Sequence, residues 1–391
     1  MSTTALPKPT LQTPVLLAAL GVAAVLFYLI LEFGAAKATL FLIGLAMGVT
    51  LYHAAFGFTG AYRRALEEKD ISGITAQAVM LALAMLLFAP VLAQGEVFGQ
   101  GVVGAVAPVN IGMAFGAFLF GIGMQLAGGC ASGTLFTVGG GSVRMVLVLA
   151  AFAAGCFWAS LDLGWWQGLP GIGAVSLADE IGAWAAVGLQ LAVLAVIIVG
   201  LRALGGRNLR PLWWDGSFSA RALLHGPWPL LLAAALLALL NFASLLVAGH
   251  PWSITWGFTL WGAKAAVLLG WDPATAPFWV GGFQERALKG PLLADTVSVM
   301  NLAIVLGALA AAGLAGRFRP SLRMPWPALV SALLGGLMLG YGARLAYGCN
   351  IGAFFSGVAS TSLHGWAWIV AAGLGNWAGL WLSKRLDRMA G

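Results

Sequence analysis

Charged residues are scarce in this chain. They make up 8% of its 391 residues, against about 25% in an ordinary soluble domain, so the sequence cannot supply the surface of a soluble protein. Hydrophobic residues make up 61%, and they form continuous runs of about 20 residues, the length of a spanning helix. A membrane β-barrel would instead show short alternating segments. The composition predicts an all-α polytopic membrane protein, and the abundant glycine and tryptophan suit helix packing and interfacial belts in a bilayer.

Cysteine and histidine are also few, and familiar catalytic motifs are missing. Three cysteines cannot form a disulfide framework. The four histidines lack the HxH or HxxxH spacing of a metal site. The sequence contains no P-loop, no GxGxxG after a strand and no carboxylate pair within an apolar run. It therefore predicts neither an enzyme nor a cofactor, and it directs attention to the cysteines.

The apolar runs predict ten spanning helices. They cover residues 14–34, 38–60, 72–95, 109–128, 143–162, 181–201, 227–249, 296–316, 327–346 and 363–383. A further apolar segment at 254–270 is short, and we expect it to be re-entrant. The polar N-terminal residues precede one long apolar run among many, which is not the pattern of a cleavable signal.

The distribution of Lys and Arg predicts the orientation. With ten crossings, most cations fall on one side, which the positive-inside rule assigns to the cytoplasm together with both termini. These are Lys8, Arg63, Arg64, Lys69, Arg144, Arg202, Arg207, Arg210, Arg221, Arg317, Arg319, Arg323, Lys384, Arg385 and Arg388. Lys37, Arg286 and Lys289 fall opposite, and Lys264 and Arg344 lie within apolar segments. The net charge of +7 then faces anionic lipid headgroups on the cytoplasmic side, and no nucleic-acid partner is needed to explain it.

The sequence contains an internal repeat. Residues 121–136 read GIGMQLAGGCASGTLF and residues 340–355 read GYGARLAYGCNIGAFF, with eight identities that include Cys130 and Cys349. A weaker echo pairs GFT at 57–59 with GFT at 257–259. Each half, 1–180 and 181–391, would carry five crossings, so the second copy would be inverted relative to the first. Inverted repeats are typical of transporters, whose sites lie near the midplane.

Each repeated motif predicts a break in an apolar helix followed by a short half-helix. Gly129 and Gly348 would permit close backbone approach, while Ser132, Thr134 and Asn350 would cap the new helices. A helix start carries about +0.5 charge and free N–H groups, which is an anion site. A thiol beside it suits a substrate that carries soft sulfur. Tight helix packing by small residues is the plainer interpretation of each Gly-Cys pair, and the duplication argues against it.

At these residues the chain resembles the YeeE/YedE family of inner-membrane proteins, whose characterised members import thiosulfate. The resemblance rests on GIGMQLAGGCASGTLFTVGGGS (121–142), ITWGFTLWGAKAAVLLGWD (254–272) and GYGARLAYGCNIGAFFSGVASTSLHGW (340–366). It implies an hourglass-shaped inverted-repeat transporter with short central helices. It also implies that cysteines along the axis pass thiosulfate by S–H hydrogen bonding, without covalent bonds or a cofactor. Cys130 and Cys349 match two of these cysteines.

The third family cysteine has no counterpart here. The family pattern resembles Phe-Cys-Phe-x-x-Ala-x-Arg, and this chain reads FGFTGAYR at 56–63, so Gly57 stands at the cysteine position on the expected transport path. Cys156 lies in the middle of a predicted helix, outside the repeated motif. This departure from the family pattern leaves open whether the substrate is thiosulfate or another sulfur or selenium species. It also leaves open whether Cys156 compensates for the cysteine that is absent at Gly57.

The leading hypothesis is a permease for a small sulfur-containing anion, most simply thiosulfate. Cys130 and Cys349 would contact the anion, and Gln125 and Arg344 would support the site from within the two motifs. The alternative is a membrane thiol oxidoreductase or sulfur-transfer component that cycles the same two cysteines through a disulfide or persulfide. Small cytoplasmic sulfurtransferase-like proteins accompany many members of the family, and the basic loop 202–221 would be the place for one to dock.

Overall fold

The computed structural model describes residues 11–214, 219–322 and 324–390. Lys8 and Arg323, which enter the predicted orientation, lie outside the described residues, as does the side chain of Arg388. The described chain is almost entirely helical. Its two small antiparallel sheets pair β1 (Glu96–Val97) with β2 (Gln100–Gly101) and β3 (Pro108–Asn110) with β4 (Gly171–Ala174). The predicted all-α class is confirmed.

Long helices are interspersed with short ones along the chain. Up to residue 181 they are α1 (Thr13–Leu31), α2 (Ala35–Ala54), α3 (Phe58–Glu68), α4 (Ser72–Gln94), α5 (Ile111–Ala127), α6 (Ala131–Gly139), α7 (Val143–Gln167) and α8 (Leu177–Ile181). After it they are α9 (Ala183–Ala203), α10 (Ala220–His225), α11 (Leu230–Ala248), α12 (Thr255–Leu268), α13 (Gly282–Lys289), α14 (Thr296–Leu314), α15 (Trp326–Leu345), the π-helical turn Asn350–Phe355, α16 (Ser356–Ala359) and α17 (Leu363–Ala390). Three short 3-10 helices, Pro273–Thr275, Pro277–Trp279 and Leu292–Ala294, flank α13.

Nine segments of the described residues are long and apolar enough to cross a membrane, so the protein is a multi-pass membrane protein. The tenth predicted span, 363–383, lies in α17, which has 28 residues but is not among the nine. Its tryptophans, His364 and Asn376 make it less apolar than the others. The short segment predicted at 254–270 is α12, whose 14 residues fall below the roughly 20 that a span needs.

One predicted span is wrong in its detail. The run 38–60 is not a single helix, because α2 ends at Ala54 and α3 begins only at Phe58. Ala55 has a left-handed backbone (φ 45°) and Gly57 an extended one (φ −129°), so the chain turns between the two helices. Hydropathy continues across this turn, which is why the apolar run concealed it.

Long helices of one half pack closely on those of the other. The most extensive contacts join α7 and α5 to α15, α5 to α17, and α2 to α14. Glycines make this approach possible: a Cβ at Gly121 would collide with the carbonyl oxygen of Ala372, and one at Gly340 with that of Phe152. These two glycines occupy the same position in the two repeated motifs. Small residues therefore set the helix spacing, as is usual where helices associate in lipid.

The order of long and short helices recurs. The series α1 to α7 is long, long, short, long, long, short, long, and α9, α11, α12, α14, α15, the π-turn with α16, and α17 repeat it. The predicted boundary between residues 180 and 181 falls within the five-residue helix α8, next to a glycine with positive φ. The division into two inverted halves remains a prediction, and this recurrence supports it.

A buried carboxylate ties the loop after α9 to the α3–α4 junction. Asp70 is 2% exposed and lies 3.3 Å from Arg210 and 3.6 Å from Arg64. It also accepts hydrogen bonds from the backbone N–H groups of Ser72 (2.9 Å) and Leu209 (3.3 Å). Burial alone would raise the pKa of this carboxyl, but the Ser72 and Leu209 hydrogen bonds and Arg210 outweigh it and hold the pKa below the ordinary 3.8.

We expect Asp70→Asn to destabilise the protein by about 1–3 kcal/mol at neutral pH, because two arginines would lose a buried partner. A lowered folded-state pKa stabilises the fold above the unfolded-state pKa, and this contribution is lost as pH falls through the folded-state value. Wild type should therefore melt at a higher temperature than D70N at neutral pH. This difference in melting temperature should shrink as the pH falls below about 4. Glu68→Gln, an exposed neighbour, is the control, and an unchanged gap at acid pH would contradict the assignment.

Candidate functional site: two opposed Gly-Cys turns

The first Gly-Cys turn separates α5 from α6. Gly128 ends α5 with a left-handed backbone, and Cys130 is the N-cap of α6. The Sγ of Cys130 accepts a hydrogen bond from the N–H of Gly133 (3.4 Å), and the side chain is 1% exposed. A new helix thus begins at a buried cysteine.

Ser132 and Thr134 do not cap this helix, so that prediction is wrong. Both lie inside its first turn, where the side chain of Thr134 donates to the carbonyl of Cys130 (2.9 Å) and the hydroxyl of Ser132 lies 3.5 Å from the cysteine Sγ. The N-cap is the residue just before the first helical one, and from there its side chain accepts a hydrogen bond from an N–H of the first turn. The break between α5 and α6 falls one residue after Gly129, so Cys130 occupies the N-cap position.

The second Gly-Cys turn also places a cysteine at the start of a short helix, but this helix is a π-helical turn. Tyr347 has a left-handed backbone (φ 58°), and Gly348 follows at φ 155°. Cys349 is the N-cap of the π-helical turn, and its Sγ accepts a hydrogen bond from the N–H of Ile351 (3.4 Å). Asn350 was predicted to be the cap, but it is the first residue of the turn and cannot serve.

Each cysteine sulfur is therefore held as an acceptor by its own backbone. A thiol has one weak donor and a weak acceptor, so an N–H bound to the sulfur leaves the S–H free to point elsewhere. Both cysteines are free and 1% exposed. They lie within electrostatic range of one another, and α6 contacts the π-turn directly. The two thiols thus form one buried centre from both copies of the motif.

Four short helical segments begin near this centre. Gly57 is the N-cap of α3, and a Cβ placed there would meet only the ring of Phe136 on α6, at 3.9 Å. Across the centre, a Cβ at Gly352 would lie 3.4 Å from the hydroxyl of Ser253, just before α12. The rings of Phe58 and Phe354, on α3 and the π-turn, have centroids 6.5 Å apart. The position of the missing third cysteine therefore adjoins the site and has room for a side chain.

Gln125 and Arg344 stand at matched positions of the repeat but have different surroundings. The side chain of Gln125 donates to Asn376 (2.8 Å) and accepts from Arg63 (3.0 Å). It lines a cavity of about 510 Å³ together with Arg63 and Arg144, beside Gly128. The guanidinium of Arg344 instead lies 4.6 Å from the ring centroid of Phe278. Gln125 thus lines a cavity beside the first turn together with two arginines, whereas Arg344 packs on an aromatic ring.

Cys156 lies in the middle of α7 and caps no helix. It is fully buried, near the hydroxyl of Thr259 on α12 and within electrostatic range of Arg344 and Cys349. In the part of the chain that the structure describes, no three His, Cys, Asp or Glu side chains come together as a metal site would require. The arrangement at the centre therefore offers thiols, amides and hydroxyls.

Sequence reasoning missed Tyr62. This residue lies on α3 with its hydroxyl buried, close to the side chain of Asn350 and within electrostatic range of Cys130. The segment FGFTGAYR was singled out for the cysteine that it lacks. A helical projection would have placed Tyr62 one turn after Phe58 on the same short helix, and this was the available signal.

Known proteins resemble this chain over most of its length. A family model described as sulphur transport matches residues 53–378, a range that contains both Gly-Cys turns. The thiosulfate transporter TsuA of Spirochaeta thermophila is 30% identical over 351 residues, which cover 88% of this chain and 98% of that protein. TsuA of Escherichia coli is 23% identical over 278 residues, 70% of this chain and 74% of that protein. The probable transporter YedE of Escherichia coli is 37% identical over 155 residues, 39% of this chain and 36% of that protein.

Proposed function

Because this chain belongs to the sulphur-transport family, we propose that it is a permease for a small sulfur-containing anion and that this anion is thiosulfate. The observation that carries the proposal is the pair of buried, free cysteines, each at the start of a short helix and each held by a backbone N–H. Two relatives named as thiosulfate transporters support the choice of anion.

In the proposed mechanism the anion passes between the two turns without a covalent bond. The S–H groups of Cys130 and Cys349 donate to its sulfur, and both act as neutral thiols because a thiolate would repel an anion. Gly129 and Gly348 let the backbone come close, and the first-turn amides of α6, at 131–132, face the anion with the positive end of the helix. The amides of Gly133 and Thr134 are already bonded to Cys130, so they only hold the turn.

We place the protein in a bacterial inner membrane with both termini in the cytoplasm. The basis is the bias of Lys and Arg toward one side. In this orientation the cavity beside Gly128 opens to the cytoplasm, and a neighbouring cavity of about 480 Å³ is lined by Arg144 and Arg319. Cationic walls raise the local concentration of an anion. We propose that the two cavities receive the anion on the cytoplasmic side.

Two further proposals carry less support. A disulfide or persulfide cycle at Cys130 and Cys349 would need an electron acceptor, whereas the family and its named relatives are transporters. Docking of a sulfurtransferase-like protein on loop 202–221 would use its arginines, and Arg210 is already paired with Asp70. We retain the permease as the proposed function.

Growth and uptake test the proposed function. In a host without its own sulfate and thiosulfate importers, this protein should allow growth on thiosulfate as the sole sulfur source. It should also give saturable uptake of ³⁵S-thiosulfate into proteoliposomes. An empty vector and protein-free vesicles are the controls. If the wild-type protein is inserted in the membrane and neither growth nor uptake follows, thiosulfate is not its substrate.

A further inference from the structure

Buried polar atoms in proteins are nearly always hydrogen-bonded, and an exception calls for a ligand or water. Asn350 is 0% exposed, and neither its amide nitrogen nor its amide oxygen forms a hydrogen bond of normal geometry among the described residues, although its side chain interacts with the hydroxyl of Tyr62. The buried hydroxyl of Tyr62 likewise completes no hydrogen bond of normal geometry. Both lie at the centre where the two Gly-Cys turns meet.

These unpaired groups lie together. The hydroxyl of Tyr62 is close to the Asn350 side chain and within electrostatic range of Cys130, and Asn350 directly follows Cys349 in the chain. One polar surface therefore adjoins both cysteines. Tyr62 comes from the first half of the chain and Asn350 from the second.

Aromatic packing fixes this surface. The ring of Phe58 lies edge-on to Tyr62 at 6.2 Å and to Phe354 at 6.5 Å. Phe354 stacks on Trp368, whose indole N–H donates to the carbonyl of Gly348 (3.3 Å). The rings connect α3 to the second Gly-Cys turn, so the hydroxyl and the amide are held in place before any ligand arrives.

We infer that Tyr62 and Asn350 bind the oxygen atoms of the transported anion while Cys130 and Cys349 contact its sulfur. This inference rests on the proposed function and adds the residues that orient the substrate. A hydroxyl and a primary amide are donors for oxygen, and they complete the hydrogen bonds that the protein leaves open. An anion with one sulfur end and one sulfonate-like end fits this surface, with its sulfur toward the cysteines and its oxygen atoms toward Tyr62 and Asn350.

The pair also provides selectivity. A site built to hydrogen-bond a substrate rejects an analogue that leaves its buried polar groups unpaired. An anion with only oxygen atoms would satisfy Tyr62 and Asn350 but not the thiols, and one with only sulfur would do the reverse. Neither Tyr62 nor Asn350 carries a charge, so recognition depends on the positions of the donors. Tyr62 thereby takes part in binding beside the position where Gly57 replaces a cysteine.

Tyr62→Phe tests the inference in the purified, full-length protein. We expect the KM for ³⁵S-thiosulfate uptake and the Kd for thiosulfate to rise roughly tenfold, the effect of one lost hydrogen bond to an anion, with little change in the maximal rate or in melting temperature. Asn350→Asp keeps the shape but places a carboxylate against the anion, and we expect a loss of uptake of roughly tenfold or more. A merely structural role would lower stability and leave KM unchanged.

Tyr341→Phe is the matched control, because its hydroxyl is bonded to Trp166 (2.9 Å), away from the two turns, and uptake should not change. The inference is wrong if wild type transports thiosulfate and both Tyr62→Phe and Asn350→Asp keep its KM. If size-exclusion chromatography shows that Tyr62→Phe is misfolded, the result for Asn350→Asp alone decides whether the inference holds. A wild-type protein that binds no thiosulfate would overturn the proposed function, and this inference with it.

Discussion

We expect Cys130→Ser and Cys349→Ser each to lower the initial rate of ³⁵S-thiosulfate uptake roughly tenfold or more. Serine is smaller, and its hydroxyl is a hard donor that prefers oxygen to soft sulfur. Each cysteine sulfur also accepts a backbone N–H at 3.4 Å, a distance too long for the same bond to a serine oxygen. The substitution therefore changes both the donor and the direction in which it points. Uptake into proteoliposomes with matched protein content measures the effect.

Cys156 supplies the control for this experiment. It is as deeply buried as the other two, but it lies mid-helix and caps nothing. Cys156→Ala should keep most of the wild-type rate, because it removes a thiol without changing either turn. A strong loss there would mean that Cys156 takes the place of the missing family cysteine. Wild-type rates in both Cys130→Ser and Cys349→Ser would contradict the thiol-contact mechanism.

Gly348→Ala is expected to damage both stability and transport. A Cβ at this position would lie 2.7 Å from the backbone nitrogen of Ala353, and the backbone has φ 155°. The turn has to shift, at a cost of about 1–3 kcal/mol, and Cys349 shifts with it. The melting temperature in detergent should fall by several degrees, and uptake should fall roughly tenfold as the thiol is misplaced.

Gly129 is the matched control, since it holds the same position in the first motif. A Cβ there would meet Thr134 and Met145 at 3.5–3.6 Å, which is ordinary contact, and its backbone carries no positive φ in the left-handed range. Gly129→Ala should therefore stay close to wild type in both measurements. Equal losses of stability and uptake in the two variants would show that the turns are more alike than the structure indicates. Wild-type stability and uptake in both variants would show that neither position requires glycine.

The membrane fold could be predicted from sequence because lipid imposes a strong and simple pattern. Apolar runs identified the long helices, and the repeated motif identified both breaks. The break between α2 and α3 was missed, because residues 55–57 are as apolar as their neighbours and only the backbone turns. Hydropathy reports burial in lipid, and it carries no information about a change of direction within an apolar run.

The sequence singled out the two cysteines of the candidate site, but it did not predict which residues cap the helices or which residues surround the cysteines. Ser132, Thr134 and Asn350 were expected to cap helices because their residue types usually do, but the position of each break gave that role to Cys130 and Cys349. The surroundings of Arg344 and Tyr62 depend on which helices of the other half pack against them. Contacts between distant parts of the chain are set by the three-dimensional packing, and no local pattern records them.

A structure of the protein with thiosulfate bound is the most direct test of the central claim. The account predicts density for the anion between the two turns, its terminal sulfur within hydrogen-bonding distance of the Sγ atoms of Cys130 and Cys349, and no covalent bond to either. A disulfide between the cysteines, a persulfide on one of them, or an anion bound away from both turns would contradict it.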